Sequence, residues 1–274
     1  MTDLGKAITS LTNPRVKAAV RLRDRRERDL MGLTVIDGPV ELLRALDHGI
    51  TVTEAFVCDE LIRAPDAEEA VRRLQAAQAN AIQVSPAVMA KIAFGNRSDG
   101  VAAVVRTPDT SLERLVVPPP APLIVVVESV EKPGNLGAIM RTADGAGADA
   151  VVAAEPLTDP FNPNAIRASL GTIFSVPLAA ATTAATLTWL EANSIRPIAA
   201  RVDATELYSE VDLRGPIAIV LGSEAGGLSA AWDEARVDPV AIPMLGAADS
   251  LNVSVAAAIL LYEARRQRSS GTWA

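Results

Sequence analysis

Apolar positions along the chain recur at two spacings, and the spacing switches several times. Short apolar runs read as strands: LTVIDG from Leu33, VTEAFVCD from Val52, AIQVS, and GVAAVVRT from Gly100. Between them Pro39 to His48, Pro65 to Gln78 and Pro86 to Phe94 carry the spacing of helices. Ahead of them, Asn13 to Leu30 predicts one helix. Its apolar residues Val16, Ala19 and Val20 sit at helical spacing among Arg and Lys, Pro14 suits the first turn, and Asn13 suits the N-cap. This alternation predicts a small α/β domain over residues 1–106.

The pattern then breaks. Thr107 to Pro122 holds Pro108, Pro118, Pro119, Pro120 and Pro122, a density that excludes helix and opposes central-strand pairing. Residues 107–122 therefore read as a stiff, extended linker, and a second domain spans 123–274. It opens with the buried-type strand PLIVVVES from Pro122 and continues with a helix from Asn135 to Gly147. A strand follows at AVVAAE from Ala150, then a helix from Asn164 to Phe174 interrupted by Gly171, and another from Thr186 to Ser194. RPIAARV from Arg196, PIAIVLGSE from Pro216 and PVAIP from Pro239 are strands, and Ser250 to Arg268 is the longest helix, with Ser250 as its N-cap.

Composition refines the picture. Of the 274 residues 49% are hydrophobic but only 3% aromatic, so the core is built from Val, Leu, Ile and Ala, which suits parallel strands covered by helices. The net charge of −7 argues on average against a nucleic-acid partner. A local patch reverses that average: Arg15, Lys17, Arg21, Arg23, Arg25, Arg26 and Arg28 face only Asp24 and Glu27 between Asn13 and Arg28. A single cysteine, Cys58, excludes an intramolecular disulfide and fits a reducing cytoplasm. With His48 the only histidine, no conventional zinc set is expected. No apolar run is long enough to span a bilayer and the first residues carry no signal core, so no membrane partner is expected.

GAGADA, from Gly145 to Ala150, matches a dinucleotide fingerprint but closes a helix and precedes a strand. That context is wrong for phosphate at a helix N-terminus, and it argues against an oxidoreductase with a Rossmann domain. Gly147 reads better as a helix C-cap. Three other segments sit where ligands bind, at strand ends and helix starts. In EKPGNLGAIMRTADGAGA, Asn135 stands near a helix start, and Arg141 follows a little under two turns later. In VLGSEAGGLS a buried strand ends at Leu221, and Gly222, Gly226 and Gly227 let the backbone approach a ligand. In IPMLGAADSLNVSVA a strand ends at Pro243, and Ser250, Asn252 and Ser254 gather at the start of the last helix.

Together NLGAIMRTA, LGSEAGGLS and IPMLGAADSLNVSVA closely resemble, in order, the signatures of the SpoU (TrmH-type) family of the SPOUT class. RASLGTIFSVP, from Arg167 to Pro177, is similar to a fourth family element, and the front segment resembles the substrate-binding domain often found before SpoU domains. One departure stands out. Where the family often reads D-x-V-x-D-P, this chain has Glu128 and Lys132 at the two acidic positions.

The resemblance implies an α/β SPOUT methyltransferase domain with a C-terminal trefoil knot, preceded by a small L30e-like α/β domain. It implies S-adenosylmethionine-dependent methylation of a ribose 2′-hydroxyl, first of all in 23S ribosomal RNA, with antibiotic resistance among the associated roles. A tRNA 2′-O-methyltransferase, or a non-catalytic RNA- or ribosome-binding protein of the same fold, are the alternatives. The implied cofactor residues are Leu221, Gly222, Gly226, Ile242, Met244 and Leu251. Arg141, Asn135, Glu224, Ser250 and Asn252 are the implied catalytic set. Arg15, Lys17, Arg21, Arg23, Arg26, Arg167 and Ser169 are assigned to RNA. A homodimer without metal is implied, with Arg141 serving the partner's site. Family proposals make Arg141 the base, but guanidinium groups titrate above about 12, so fixing a phosphate is the easier role.

Overall fold

A computed structural model of the chain describes residues 7–94, 99–224, 226–235 and 237–269. Along the chain run α1 (Pro14–Arg21), α2 (Arg25–Met31), β1 (Leu33–Ile36), α3 (Pro39–Asp47), β2 (Val52–Val57), α4 (Pro65–Ala76), β3 (Ala81–Gln83), α5 (Pro86–Ile92) and β4 (Val101–Arg106). There follow β5 (Leu123–Glu128), α6 (Pro133–Ala146), β6 (Ala150–Ala154), α7 (Pro163–Ala168), β7 (Leu178–Ala181), α8 (Thr183–Ala192), β8 (Arg196–Ala200), β9 (Ile217–Leu221), α9 (Ala230–Glu234), β10 (Asp238–Val240) and α10 (Val253–Arg268). No helix among the described residues is long and apolar enough to cross a membrane.

The chain divides into two compact units. The first comprises residues 1–108 together with 161–175. Its sheet has the order β1-β4-β2-β3, antiparallel except for the β2–β3 pair. Val16, Ala19, Leu22, Phe56, Met89 and Ile92 belong to its core. The single helix expected from Asn13 to Leu30 is broken between Arg21 and Arg25. The Asp24 carboxylate accepts from the Arg26 N–H at 2.9 Å and starts a new helix. The buried Arg28 guanidinium donates to the carbonyls of Leu22 and Arg23 at 2.8 and 2.9 Å, taking acceptors a continuous helix would use.

The second unit comprises residues 109–160 and 176–274. It departs from the contiguous division expected from sequence at residues 161–175, which sit with the first unit. The reason is a set of contacts made there. The Thr34 hydroxyl donates to the Phe161 carbonyl at 2.7 Å, Arg167 pairs with buried Asp37, and a side chain at Gly171 would come within 2.8 Å of Glu41 Cα. The proline-rich stretch is also less free than a spacer. Leu112 is buried, and the Thr110 carbonyl accepts from the Ala180 N–H at 2.8 Å.

The sheet of the second unit is entirely parallel, ordered β10-β8-β9-β5-β6-β7. Every residue of β5, β6 and β9 is buried, so these strands read as continuous apolar runs rather than alternating ones. The strand order reverses between β5 and β9, and ligands bind such sheets at the carboxyl ends of the strands near that point. Helix α6 packs beside α10, where the Tyr262 hydroxyl lies 3.1 Å from the position a side chain would take at Gly145. Gly147, at φ +69°, ends α6 as the left-handed cap its position predicts.

Candidate functional site

The chain leaves β9 at Leu221 and folds back on itself. The Ser223 N–H donates to the Gly227 carbonyl at 2.9 Å, the Gly227 N–H returns to the Ser223 carbonyl at 3.1 Å, and the Gly226 N–H donates to the Ser223 hydroxyl at 3.0 Å. A Cβ at Gly222 would run into the backbone of Gly227 and Leu228, and Gly227 takes φ +64°. Glycine is thus required at 222 by close approach and at 227 by conformation. Beyond β10, Ile242 and Met244 face this turn across a cavity of about 510 Å³, and the residues leading into α10 close it.

All six residues expected to hold a cofactor line that cavity: Leu221, Gly222, Gly226, Ile242, Met244 and Leu251. Glu224 and Ser250 line it too. Ser250 does not cap the helix as its spacing suggested. Asn252 does, its side-chain oxygen accepting from the Ser254 N–H at 2.9 Å and the Ser254 hydroxyl at 2.6 Å, and α10 therefore starts at Val253. Sequence reasoning missed a further wall, Ala200 to Asp203 at the end of β8. The rule that sites gather at strand ends points to it, since the RPIAARV strand had been read. Arg201 is bridged there by Asp203 and Asp233, whose carboxylates raise its basicity further.

Polar residues of all three motifs meet at Glu224. Its carboxylate accepts from Asn135 Nδ2 at 2.6 Å, from Asn252 Nδ2 at 2.8 Å and from Lys132 Nζ. Lys132 and Asn135 hold the Glu224 carboxyl below its ordinary pKa, and Glu224 raises that of Lys132 in return. Arg141 stands apart. It is exposed on α6, does not line the cavity, and its side chain makes no hydrogen bond or ion pair among the described residues. Glu128, at the end of β5, is 2% exposed. Its carboxylate accepts from the Thr183 hydroxyl, from the Ser229 N–H at 2.7 Å and from the Ser229 hydroxyl at 2.8 Å, which pins the far end of the glycine turn to β5.

The RNA residues expected from sequence fare unequally. Arg15, Lys17, Arg21 and Arg26 are exposed, with Arg15 3.4 Å from Glu54 and Arg21 3.6 Å from Glu27. Arg23 is exposed as well, but its guanidinium is tied to the fold. It donates to the carbonyls of Lys91 and Ala93 at 2.9 and 2.8 Å, and its guanidinium lies 5.1 Å from the centre of the Phe94 ring. Arg167 is held by Asp37, whose carboxyl is pushed up by burial against the opposing donors Phe94 N–H and Arg167. Ser169 is fully buried and offers no surface. Its hydroxyl donates to the Ile166 carbonyl at 2.7 Å and accepts from the Gly171 N–H at 3.1 Å, closing the turn after α7. A groove of about 470 Å³ between α1 and α5 brings Lys91 beside Lys17 and Arg21 over Leu11, Pro14 and Val20, a neighbour no local motif reveals.

The cavity suits a small molecule with a flat base and a positive centre. Its volume falls within the roughly 300–1,000 Å³ of ligand sites. Leu221, Ile242, Met244 and Leu251 provide apolar walls, the backbone of Gly222 and Gly227 approaches closely, and Glu224 and Asp249 provide carboxylates, while Asp203 is paired with Arg201 of the same wall. These residues fit S-adenosylmethionine, which carries an adenine and a sulfonium.

The SpoU rRNA Methylase family matches residues 122–262, and the MRM3-like substrate binding domain matches residues 13–103. The chain is 29% identical to the 23S rRNA (guanosine(2553)-2′-O)-methyltransferase RlmP of Bacillus subtilis (strain 168), over 95% of this chain and 99% of that protein. Among solved structures, an RNA 2′-O ribose methyltransferase superposes with a TM-score of 0.84 at 42% identity, covering 96% of this chain and 99% of the other. The SpoU methyltransferase AviRb from Streptomyces viridochromogenes, in complex with the cofactor AdoMet, superposes with a TM-score of 0.85 at 30% identity, covering 94% of this chain and all of the other. With the family match spanning more than half of its length, and with residues of that family's second and third motifs lining one cavity, the chain belongs to the SpoU rRNA Methylase family.

Proposed function

We propose that this protein transfers a methyl group from S-adenosylmethionine to a ribose 2′-hydroxyl of 23S ribosomal RNA, in the cytoplasm and as a homodimer. Its second unit is a SPOUT domain with a C-terminal trefoil knot, and its front domain is L30e-like. The observation that carries this reading is the convergence of all six anticipated cofactor residues on one cavity at the ends of parallel strands. The relative named above acts on 23S rRNA.

When bound, S-adenosylmethionine supplies an electrophilic methyl on a positively charged sulfur. The chain does the rest. Leu221, Ile242, Met244 and Leu251 would hold its base against apolar walls, while Glu224, fixed by Asn135, Asn252 and Lys132, presents an oriented acceptor at the cavity wall. Arg141 anchors the phosphate beside the target ribose and polarises the 2′-oxygen, acting on the cavity of a second copy. Its exposure on α6 outside the cavity of its own chain supports this, as does the exposure of Val255 and Tyr262 on the adjoining α10.

Calorimetry with S-adenosylmethionine, together with mapping of 2′-O-methyl groups in total RNA with and without the protein, tests the reading. A new mark in 23S rRNA is the expected result. A mark in tRNA favours the alternative substrate, and absence of cofactor binding at millimolar concentration removes the enzymatic reading.

The groove of the first unit, lined by Lys17, Arg21 and Lys91 and flanked by exposed Arg15 and Arg26, supports an RNA contact on this face. Each phosphate neutralised contributes about 0.7–0.9 to the slope of log K against log salt. Lys17→Glu, Arg21→Glu and Lys91→Glu combined are expected to lower that slope by about 2, with affinity for S-adenosylmethionine unchanged. An unaltered slope would show that these cations form only a solvated face.

A further inference from the structure

We infer that Lys132 is a positioning residue of the candidate active site: its ammonium clamps Glu224, and through Glu224 the amides of Asn135 and Asn252, at the cavity wall. This rests on the methyltransferase reading, but it concerns a residue at which the chain departs from the family pattern.

The position of Lys132 in the fold makes the departure informative. Lys132 is the N-cap of α6, followed by Pro133 at the first helical position, and its side chain makes no capping bond. An aspartate there would accept an N–H of the first turn and would sit favourably at the positive end of the helix. A lysine forgoes the cap and places a cation against that end. What it does instead is reach Glu224 on the turn after β9, 92 residues further along the chain.

Glu224 in turn accepts from both amides, and Asn252, so oriented, uses its remaining oxygen to cap α10. The helix starts of α6 and α10 and the glycine turn are thereby tied to one carboxylate, and Lys132 is the cation that matches it. The other charge facing Lys132 is its neighbour Glu131. A cation at this position is thus disfavoured by its own helix and favoured by the site.

Four substitutions separate this role from a tolerated surface lysine. Lys132→Asp is expected to restore the cap and raise the melting midpoint by about 2–4 °C, while lowering methyl transfer about tenfold by placing a second carboxylate beside Glu224. Lys132→Met is expected to lower transfer similarly, and Lys132→Arg to retain it. In a Glu224→Gln background Lys132→Met should have no further effect, because its partner is gone.

A readout independent of activity is the titration of the Glu224 carboxyl by 13C NMR in labelled protein, assigned with Glu224→Gln. Its midpoint should rise in Lys132→Met and stay low in Lys132→Arg. A Lys132→Asp protein that is more stable and fully active, or an unchanged Glu224 midpoint in Lys132→Met, overturns the inference. A native protein that methylates no RNA removes the proposed function, and the NMR titration then still decides whether Lys132 governs Glu224.

Discussion

Replacing Arg141 with alanine is expected to lower methyl transfer by about 10²–10³-fold, the effect of removing one preorganised stabilising group, with S-adenosylmethionine affinity within about twofold of native. The split follows from where the residue stands. Arg141 is exposed, so its removal leaves no buried group without a partner, and surface substitutions of this kind change stability by no more than about 0.5 kcal/mol. It does not line the cavity, so cofactor contacts survive. Arg141→Lys keeps the charge but loses the planar fork that grips a phosphate at two points, and should fall between the two.

The same variant tests the dimer. Mixing Arg141→Ala chains with Gly222→Val chains, whose turn is blocked by the backbone of Gly227, gives heterodimers in half of the random pairs. If Arg141 serves the partner's cavity, each heterodimer has one intact site, and about a quarter of native activity returns. If Arg141 serves its own chain, none returns. Full activity in Arg141→Ala alone would exclude the residue from the reaction.

Arg141 also marks the limit of what the sequence discloses. The parallel unit was legible because apolar runs such as LIVVVE and IAIVL are buried on both faces, and a strand of that kind leaves an uninterrupted signature. The cavity was legible because Gly222 and Gly227 are demanded by local geometry, and their spacing from a strand end is itself local. Two kinds of feature were not. Features set by competition for the same carbonyls escaped: the helical spacing of Val16, Ala19 and Val20 gives no sign of a break, and only the inward turn of Arg28 shows why the helix ends. Pairings across long chain separations also escaped. Lys91 next to Lys17, Arg167 against Asp37, and Lys132 on Glu224 join residues that no window contains together. Ser169 misleads for the same reason, since residue type advertises a surface role that packing has withdrawn, and Arg23, though exposed, commits its guanidinium to the carbonyls of Lys91 and Ala93.

Glu128 is the clearest instance of a residue whose weight appears only in three dimensions, and it carries the largest expected effect on stability. Its carboxylate is 2% exposed and takes donors from the Thr183 hydroxyl and from both the N–H and hydroxyl of Ser229. Glu128→Ala strands these donors in a buried site, at a cost of about 3 kcal/mol. Glu128→Gln keeps the shape and one acceptor oxygen but loses the charge, and should cost about half as much. Because Ser229 ends the turn that begins at Gly222, both variants should also weaken S-adenosylmethionine binding, the alanine more than the glutamine.

The pH dependence has a definite sign. Burial pushes the Glu128 carboxyl upward, but the donors from Thr183 and Ser229 outweigh it, and the folded value lies below the ordinary 4.5. A carboxyl depressed in the folded state contributes its full stabilisation above the unfolded value, and loses it as pH falls through the folded one. Native protein should therefore lose stability below about pH 4.5 more steeply than Glu128→Ala. Denaturant unfolding at pH 7 and pH 4 measures the difference. Parallel curves for the two proteins would show that the carboxylate does not hold the turn in place.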